Sequence, residues 1–250
     1  MSELHAWGLT GIPEVRTGDD LAALLVDALR RHGLRVEPGD VLVVTQKVVS
    51  KAEGRIVDLA TIEPSPLALE AAERWGKDAA MVEVVLRESR RIVRMDRGVI
   101  ISETRHGFVC ANAGVDASNV PGDRHVALLP LDPDASAAKL RAAIGAAMGV
   151  APAVIISDTF GRPWREGTTE VAIGVAGMPP ARDYTGVRDP FGYEMRTSVI
   201  AVADELASTA ELVCGKVERI PAALLRGFAP GEGEGTAQDL VRDPERDLFR

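Results

Sequence analysis

Two aspartates follow apolar stretches of the sequence and have hydroxyl or amide side chains beside them. Asp158 comes just after the apolar run 153–156, and Thr159 follows it. Asp116 lies in a segment of small residues that also contains Asn119. Carboxylate, hydroxyl and amide oxygens suit Mg²⁺ or Mn²⁺ together with substrate phosphates. The same residues could instead cap turns through Asx hydrogen bonds, so spacing alone leaves both interpretations open.

Basic side chains lie near these acids along the chain. Arg162 and Arg165 follow Asp158 and could grip phosphate oxygens in bidentate fashion, or pair with neighbouring carboxylates as a structural network. Lys47 and Lys51 are four residues apart and share one face if their segment is helical. Five arginines also fall close together, at positions 87, 90, 91, 94 and 97. Such a run is usually a solvated face, but in a chain of net charge −8 it is the most obvious place for an anionic ligand.

Several common kinds of active site do not occur in the sequence. It has no GxxxxGK[ST] motif, and the Gly-Glu-Gly-Glu-Gly run at 231–235 is far from any predicted strand–helix junction. The four histidines lack metal-ligand spacing, and no Ser or Cys lies in a nucleophile elbow. Cys110 and Cys214 lie in apolar segments and are predicted to be buried, reduced thiols. Carboxylates for a divalent metal, with Lys or Arg for phosphate, indicate phosphoryl transfer.

Composition and charge favour a globular protein that does not bind nucleic acid. The chain has 250 residues, of which 46% are hydrophobic and 26% charged, and its pI is near 5.1. This acidic balance argues against nucleic-acid binding. The first residues show no basic or apolar leader, and no stretch reaches the ~18 uncharged apolar residues of a membrane span. We therefore expect a cytoplasmic protein with no membrane partner.

The apolar pattern predicts alternating helices and strands around the candidate residues. Helices are predicted over 21–30, 67–74, 136–148 and 197–213, and buried strands over 41–45 and 153–156. Residues 81–113 are predicted to be mostly strands in a meander, beginning with Val82, Val84 and Val85. The segment 167–193, rich in Gly, Pro and Arg, is predicted to be a functional loop. The tail 231–250 is polar and is expected to be loosely held.

Five ordered motifs together resemble those of the coenzyme F420:L-glutamate ligase family. They lie at 11–16 (with 18–21), 45–51, 114–119, 158–165 and 184–190, and the similarity runs from about Leu9 to Gly227. The resemblance implies a non-P-loop α/β (α+β) fold of two interlocked lobes, with mixed and antiparallel sheets, flanking helices and a homodimer. The ligase domain is expected over 1–230. The tail 231–250 resembles a junction to the nitroreductase-like domain that some bacterial relatives carry.

The resemblance also implies a reaction. Family members join L-glutamate to F420-0 through an amide bond, hydrolyse GTP to GDP and phosphate, and extend the tail with γ-linked glutamates. The implied route passes through an acyl phosphate, with two divalent metals (Mg²⁺ or Mn²⁺) and K⁺ as activator. A ligase of the same fold acting on another acceptor carboxylate, and a non-catalytic GTP-binding module, are the alternatives.

Carried over residue by residue, the resemblance assigns roles within the site. The first metal is expected on Asp116 and Asp158 and the second on Thr159, with Asp204 and Glu205 as further candidates. The residues expected to act in catalysis are Lys51, Arg162 and Arg165. The residues expected to contact GTP are Ile12, Pro13, Glu14, Val15, Gln46, Lys51 and Asn119. Gln46 is a departure, because relatives often carry Ser there. The arginine run at 87–97 would suit the phosphodiester of F420-0.

Overall fold

The structure is a computed structural model that describes residues 3–231 and 233–248, over which the chain forms six α-helices and twelve β-strands. The helices are α1 (Leu21–Arg31), α2 (Gln46–Ala52), α3 (Pro66–Trp75), α4 (Ala79–Glu88), α5 (Pro133–Met148) and α6 (Val202–Cys214). The strands are β1 (His5–Gly8), β2 (Val41–Thr45), β3 (Ile56–Asp58), β4 (Ser89–Asp96), β5 (Val99–Thr104), β6 (Val109–Ala111), β7 (His125–Ala127), β8 (Ala153–Arg162), β9 (Arg165–Ala176), β10 (Arg182–Asp183), β11 (Val199–Ile200) and β12 (Ala222–Arg226).

The main hydrophobic core surrounds a five-stranded sheet in the order β1–β12–β2–β8–β9. β2 and β8 run parallel, whereas the other neighbouring strands are antiparallel. Four of the five residues of β2 are buried, as expected for an unbroken apolar run in a strand covered on both faces. Helices α5 and α6 contact the sheet, and α1 packs on α5.

A second hydrophobic core lies around α3, α4 and the antiparallel sheet β4–β5–β6. Val82, Val85 and Ile100 are among its buried side chains. A further antiparallel pair joins β3 to β7. The combination of mixed and antiparallel sheets with flanking helices confirms the predicted α/β (α+β) class.

The predicted helices are confirmed, the first three nearly at the predicted bounds. α1 begins at Leu21 because the Asp20 carboxylate accepts a hydrogen bond from the Ala23 N–H at 3.0 Å. α5 ends at Met148 because the next residue, Gly149, has a φ of +81°, a left-handed conformation that glycine adopts without steric cost. The last helix begins at Val202 rather than at 197, because residues 199–200 form β11.

The prediction of a strand at 82–85 is wrong, because these residues lie in helix α4. The Asp78 carboxylate accepts hydrogen bonds from the N–H groups of Ala80 and Met81 and so starts the helix. The valines favour strands by intrinsic propensity, but burial against the second core outweighs that preference. The strands predicted to follow are confirmed as β4, β5 and β6.

The loop predicted over 167–193 is wrong for residues 167–176, which belong to strand β9. β8 is also longer than predicted, and the two strands form an antiparallel hairpin, so Asp158 and Thr159 lie within β8 rather than after it. Gly174 has a packing role instead of a turn role: a Cβ there would lie 2.4 Å from the Pro133 carbonyl oxygen.

Part of the tail packs against the rest of the chain at residues 237, 240 and 241, whereas residues 242–246 are exposed. Ala237 is fully buried, and its N–H donates a hydrogen bond to the Asp134 carboxylate at 2.8 Å. Leu240 and Val241 pack against the main core. Residue 232 of the Gly-Glu-Gly-Glu-Gly run and residues 249–250, at the predicted junction, lie outside the described residues, as do residues 1 and 2.

Candidate active site

A cavity of about 480 Å³ lies at one end of the main sheet. Its walls come from residues 12–15, from the β2–α2 junction, from residues 119–121, from β8 and β9, and from residues 211–221. Nine predicted site residues line it: Ile12, Pro13, Glu14, Val15, Gln46, Lys51, Asn119, Asp158 and Thr159. The structure therefore brings together residues that lie far apart in the sequence.

The parallel pairing of β2 and β8 explains this convergence. Thr45 and Ser157 are paired in register, so the residues that follow them, Gln46 and Asp158, lie at the same edge of the sheet. Ligand sites in open α/β sheets commonly form beyond the carboxyl ends of parallel strands. Helix α2 begins at this edge and carries Lys47 and Lys51, so the helical spacing predicted for these two lysines is confirmed.

An acidic group forms the β8–β9 wall of the cavity. Loss of hydration on burial, followed by the negative charge of Glu170, raises the pKa of Asp158 to about 7. Glu170 is buried on β9 opposite Thr159, whose hydroxyl donates a hydrogen bond to the Glu170 carboxylate. A carboxyl group that changes charge near pH 7 inside a cavity is typical of a functional site.

Asp116 does not line the cavity itself, but it is hydrogen-bonded to Lys47, which does. The Lys47 Nζ donates a hydrogen bond to Asp116 Oδ2 at 2.5 Å, and Ser118 donates to the same carboxylate through its N–H and its hydroxyl. Burial opposes ionisation of Asp116, but the hydrogen bonds from Lys47 and Ser118 outweigh it and lower its pKa. Asp116 is therefore ionised at neutral pH.

Basic side chains also line the cavity: Lys51, Lys216 and Arg219. The Lys51 Nζ lies 2.5 Å from Glu14 Oε1, and Arg219 lies 3.2 Å from the other oxygen of the same carboxylate. The Lys216 Nζ donates to the Thr159 hydroxyl at 3.3 Å, so it contacts the acidic wall directly. Cations close to an enclosed space favour an anionic ligand such as a phosphate chain.

Gln46 is buried at the cavity wall with one half of its amide bonded. Its Oε1 accepts a hydrogen bond from the Ser50 hydroxyl at 2.9 Å. Its Nε2 is buried and makes no hydrogen bond to the part of the chain that the structure describes. A buried amide group without a partner is costly, so a polar ligand in the cavity would stabilise it.

The oxygens of Asp116, Asp158 and Thr159 fit a hard divalent cation by their chemistry. Within 3–231 and 233–248, no three His, Cys, Asp or Glu side chains gather closely enough to hold a metal by themselves. Mg²⁺ is usually bound through one or two carboxylates plus substrate phosphates and water, so the donor set fits that mode. Asp204 instead accepts a hydrogen bond from the Ala172 N–H on β9, and Glu205 is exposed.

The arginines predicted near the site lie elsewhere. Arg162 and Arg165 are exposed at the tip of the β8–β9 hairpin and do not line the cavity, and Arg162 donates to the Glu166 carbonyl oxygen. The arginine run at 87–97 belongs to α4 and the β4–β5 region. Four of its members form ion pairs, with Glu83, Glu103 (two arginines) and Asp96. A role of either group in catalysis or acceptor binding stays a prediction.

Several cavity residues were not predicted from the sequence: Glu170, Glu211, Lys216 and Arg219. Glu170 was missed because residues 167–193 were expected to form a loop, whereas Glu170 lies in strand β9. Lys216 and Arg219 follow the end of α6, and two cations just beyond a helix end were the available signal. No pattern linked that segment to the motifs at 45–51 and 158–165, because the pairing of β12 with β2 that brings it near is not local.

The remaining sequence predictions concern the thiols and the helices. Cys110 and Cys214 are both buried and free, as predicted. Burial is the main cause that raises the pKa of each thiol to about 12. None of the helices in the described ranges combines the length and the apolar character needed to cross a membrane.

Comparison with known proteins agrees with the predicted family. Residues 10–227 match the family described as F420-0:Gamma-glutamyl ligase. Three similar proteins are each named coenzyme F420:L-glutamate ligase. The protein of Methanothermobacter thermautotrophicus is 49% identical over 97% of this chain and 97% of its own length. That of Methanopyrus kandleri is 49% identical over 95% and 94%, and that of Methanocaldococcus jannaschii is 44% identical over 86% of each chain.

Proposed function

This chain belongs to the F420-0:gamma-glutamyl ligase family, and we propose that it uses GTP to join L-glutamate to coenzyme F420-0 through an amide bond. The names of the relatives support coenzyme F420 and L-glutamate as substrates. The proposal includes GTP as the phosphoryl donor, Mg²⁺ or Mn²⁺ at two positions, K⁺ as activator, and a homodimer as the assembly.

One observation carries the GTP-dependent part of the proposal. Asp158 and Thr159 share a cavity of about 480 Å³ with Lys51, Lys216 and Arg219. Phosphoryl transfer needs carboxylates for the metal and cations for the phosphates, because catalysis consists mainly of positioning and charge neutralisation. The cavity volume lies within the usual range for small-molecule sites, about 300–1,000 Å³.

The first chemical step would activate the acceptor. A carboxylate oxygen of F420-0 attacks the γ-phosphorus of GTP, the bond to the bridging β–γ oxygen breaks, and GDP leaves with that electron pair. Lys51 and Arg219 would offset the charge of the phosphate oxygens. Divalent ions held by Asp116, Asp158 and Thr159 would supply further charge neutralisation.

The second step would form the amide. The amine nitrogen of L-glutamate attacks the acyl carbon, the bond to the phosphate oxygen breaks, and the nitrogen releases a proton. Phosphate leaves, so each amide bond accounts for one GTP. An acyl phosphate held inside the cavity would be less exposed to water.

The test is GTP turnover by the purified chain with Mn²⁺, K⁺ and L-glutamate, with and without F420-0, followed by the product mass. We expect GDP release that depends on F420-0 and a product heavier by one or more glutamyl units. Asp158→Asn should abolish both signals, whereas Glu73→Gln, which removes an exposed carboxylate of α3 outside the cavity, should retain them. GTP binding without F420-0-dependent turnover would instead favour a binding module or a ligase for another acceptor.

A further inference from the structure

Lys47 contacts a proposed metal ligand, Asp116, and also lines the cavity proposed to bind the nucleotide. Its ammonium donates hydrogen bonds to Asp116 Oδ2 at 2.5 Å and to the Ser118 hydroxyl at 2.7 Å. Its side chain is mostly buried and lines the cavity alongside Lys51. One cation thus holds a carboxylate that is a proposed metal ligand and also lies within the space proposed for the nucleotide.

The hydrogen bonds of Asp116 leave little room for a further cation. A carboxylate offers about four acceptor positions. Lys47 and the two donors of Ser118 occupy three of them, and two of these lie on Oδ2. A divalent ion at Asp116 would also be repelled by an ammonium at hydrogen-bond distance from the same carboxylate.

The neighbouring lysine on helix α2 has a different partner. Lys51 is paired with Glu14, which is not a proposed metal ligand and is also bonded by Arg219. A cation bound at Asp116 would therefore compete with Lys47 and not with the Lys51–Glu14 pair. Lysine has a flexible four-carbon stem, so its ammonium can change partners without movement of the helix.

We propose that Lys47 changes its ionic partner during the reaction: it leaves Asp116 when that carboxylate takes a divalent ion, and its ammonium then binds a phosphate oxygen of the nucleotide. The inference rests on the proposed function, since it requires the metal and the nucleotide. It makes Lys47 a catalytic residue that contacts substrate and couples metal binding to nucleotide binding.

The exchange predicts two effects of opposite sign for Lys47→Met. Without nucleotide, loss of the competing ammonium should tighten Mn²⁺ binding by about tenfold or more. With Mn²⁺ present, loss of a phosphate contact should weaken binding of a non-hydrolysable GTP analogue by about tenfold or more. A lysine that only supports the fold would weaken both ligands together.

The experiment measures Mn²⁺ binding by electron paramagnetic resonance and analogue binding by calorimetry. Four proteins are compared: the unmodified chain, Lys47→Met, Asp116→Asn and Lys139→Met. Lys139 is an exposed residue of α5 outside the cavity, so its variant controls for the loss of one positive charge. Thermal unfolding of each variant checks that it is folded.

Two results would overturn the exchange in distinguishable ways. If Asp116→Asn weakens Mn²⁺ binding but Lys47→Met leaves it unchanged or weaker, the metal role of Asp116 stands and the exchange is wrong. If Asp116→Asn leaves Mn²⁺ binding unchanged, or the unmodified chain binds no Mn²⁺ with or without the analogue, the metal assignment in the proposed function fails and the exchange fails with it. Tighter Mn²⁺ binding in Lys47→Met, together with weaker analogue binding, supports the exchange.

Discussion

Asp158→Asn should make the chain more stable at pH 8 while removing its activity. Burial and the charge of Glu170 raise the pKa of Asp158 from an ordinary 3.8 to about 7. The folded state therefore keeps a proton that the unfolded state has already released. Ionisation of Asp158 at higher pH opposes folding, and an uncharged asparagine avoids that opposition.

The size of the effect follows from the pKa difference. A rise of about three pKa units, at about 1.36 kcal/mol each, corresponds to about 4 kcal/mol. Because Asp158 lies at the cavity wall and keeps some solvent contact, we expect about half of that, roughly 2 kcal/mol. The contribution is complete only above the folded pKa and falls as the pH approaches the unfolded value of 3.8, so at pH 5 about 1.5 kcal/mol of it should remain.

The assay is urea unfolding of both proteins in the presence of a chelator, at pH 5 and pH 8. Asp158→Asn should have the higher free energy of unfolding at pH 8, and its advantage should shrink at pH 5. Glu73→Gln, which removes an exposed carboxylate on α3, is the matched control. An advantage of equal size at both pH values, or a variant less stable than the unmodified chain at pH 8, would refute the electrostatic reasoning.

Three further predictions concern other parts of the molecule. Arg226→Leu should lower the free energy of unfolding by about 3–5 kcal/mol in urea titrations, and a loss below about 1 kcal/mol contradicts this. Arg226 donates two hydrogen bonds of 2.8 Å to the buried Asp40 carboxylate, which would keep the Glu37 N–H but lose its positively charged partner. Lys51→Met should weaken GTP binding by about tenfold or more in calorimetry, since it removes a cation from the cavity, whereas Lys139→Met should not. Cys110 and Cys214, with pKa values raised to about 12, should react with iodoacetamide at pH 8 about a hundredfold more slowly in the folded chain than in urea, and equal rates would show that the thiols are accessible.

Local sequence patterns predicted α1, α3, α5 and α6 and five of the twelve strands, whereas the error at α4 is explained by tertiary packing. The apolar run of β2 and the capped start of α1 are signals carried by neighbouring residues, and both predictions hold. The valines of α4 have strand propensity, but Asp78 starts a helix and the second core buries it. Gly174 looked like a loop residue because its contact with Pro133 is 41 positions away in the chain.

Site residues could be predicted where their residue type and their place after a predicted strand occur in one short segment. Asp158 and Thr159 were identified from residue type beside an apolar run, and the structure places them in the cavity. The sequence could not show that Lys47 bonds to Asp116, or that Lys216 reaches Thr159, because those contacts join segments 69 and 57 residues apart. Arg162 and Arg165 are close to Asp158 in the sequence but do not line the cavity. The reason is that β8 continues past Asp158 into the β8–β9 hairpin, which carries both arginines away from it.

The most direct test of the central claim follows oxygen from the acceptor into phosphate. F420-0 labelled with ¹⁸O in its terminal carboxylate is incubated with the chain, GTP, L-glutamate, Mn²⁺ and K⁺, and the released phosphate is analysed by mass spectrometry. If GTP activates the acceptor as an acyl phosphate, the phosphate formed with each glutamylated product carries one ¹⁸O atom. Glutamylated product accompanied by unlabelled phosphate would contradict that account.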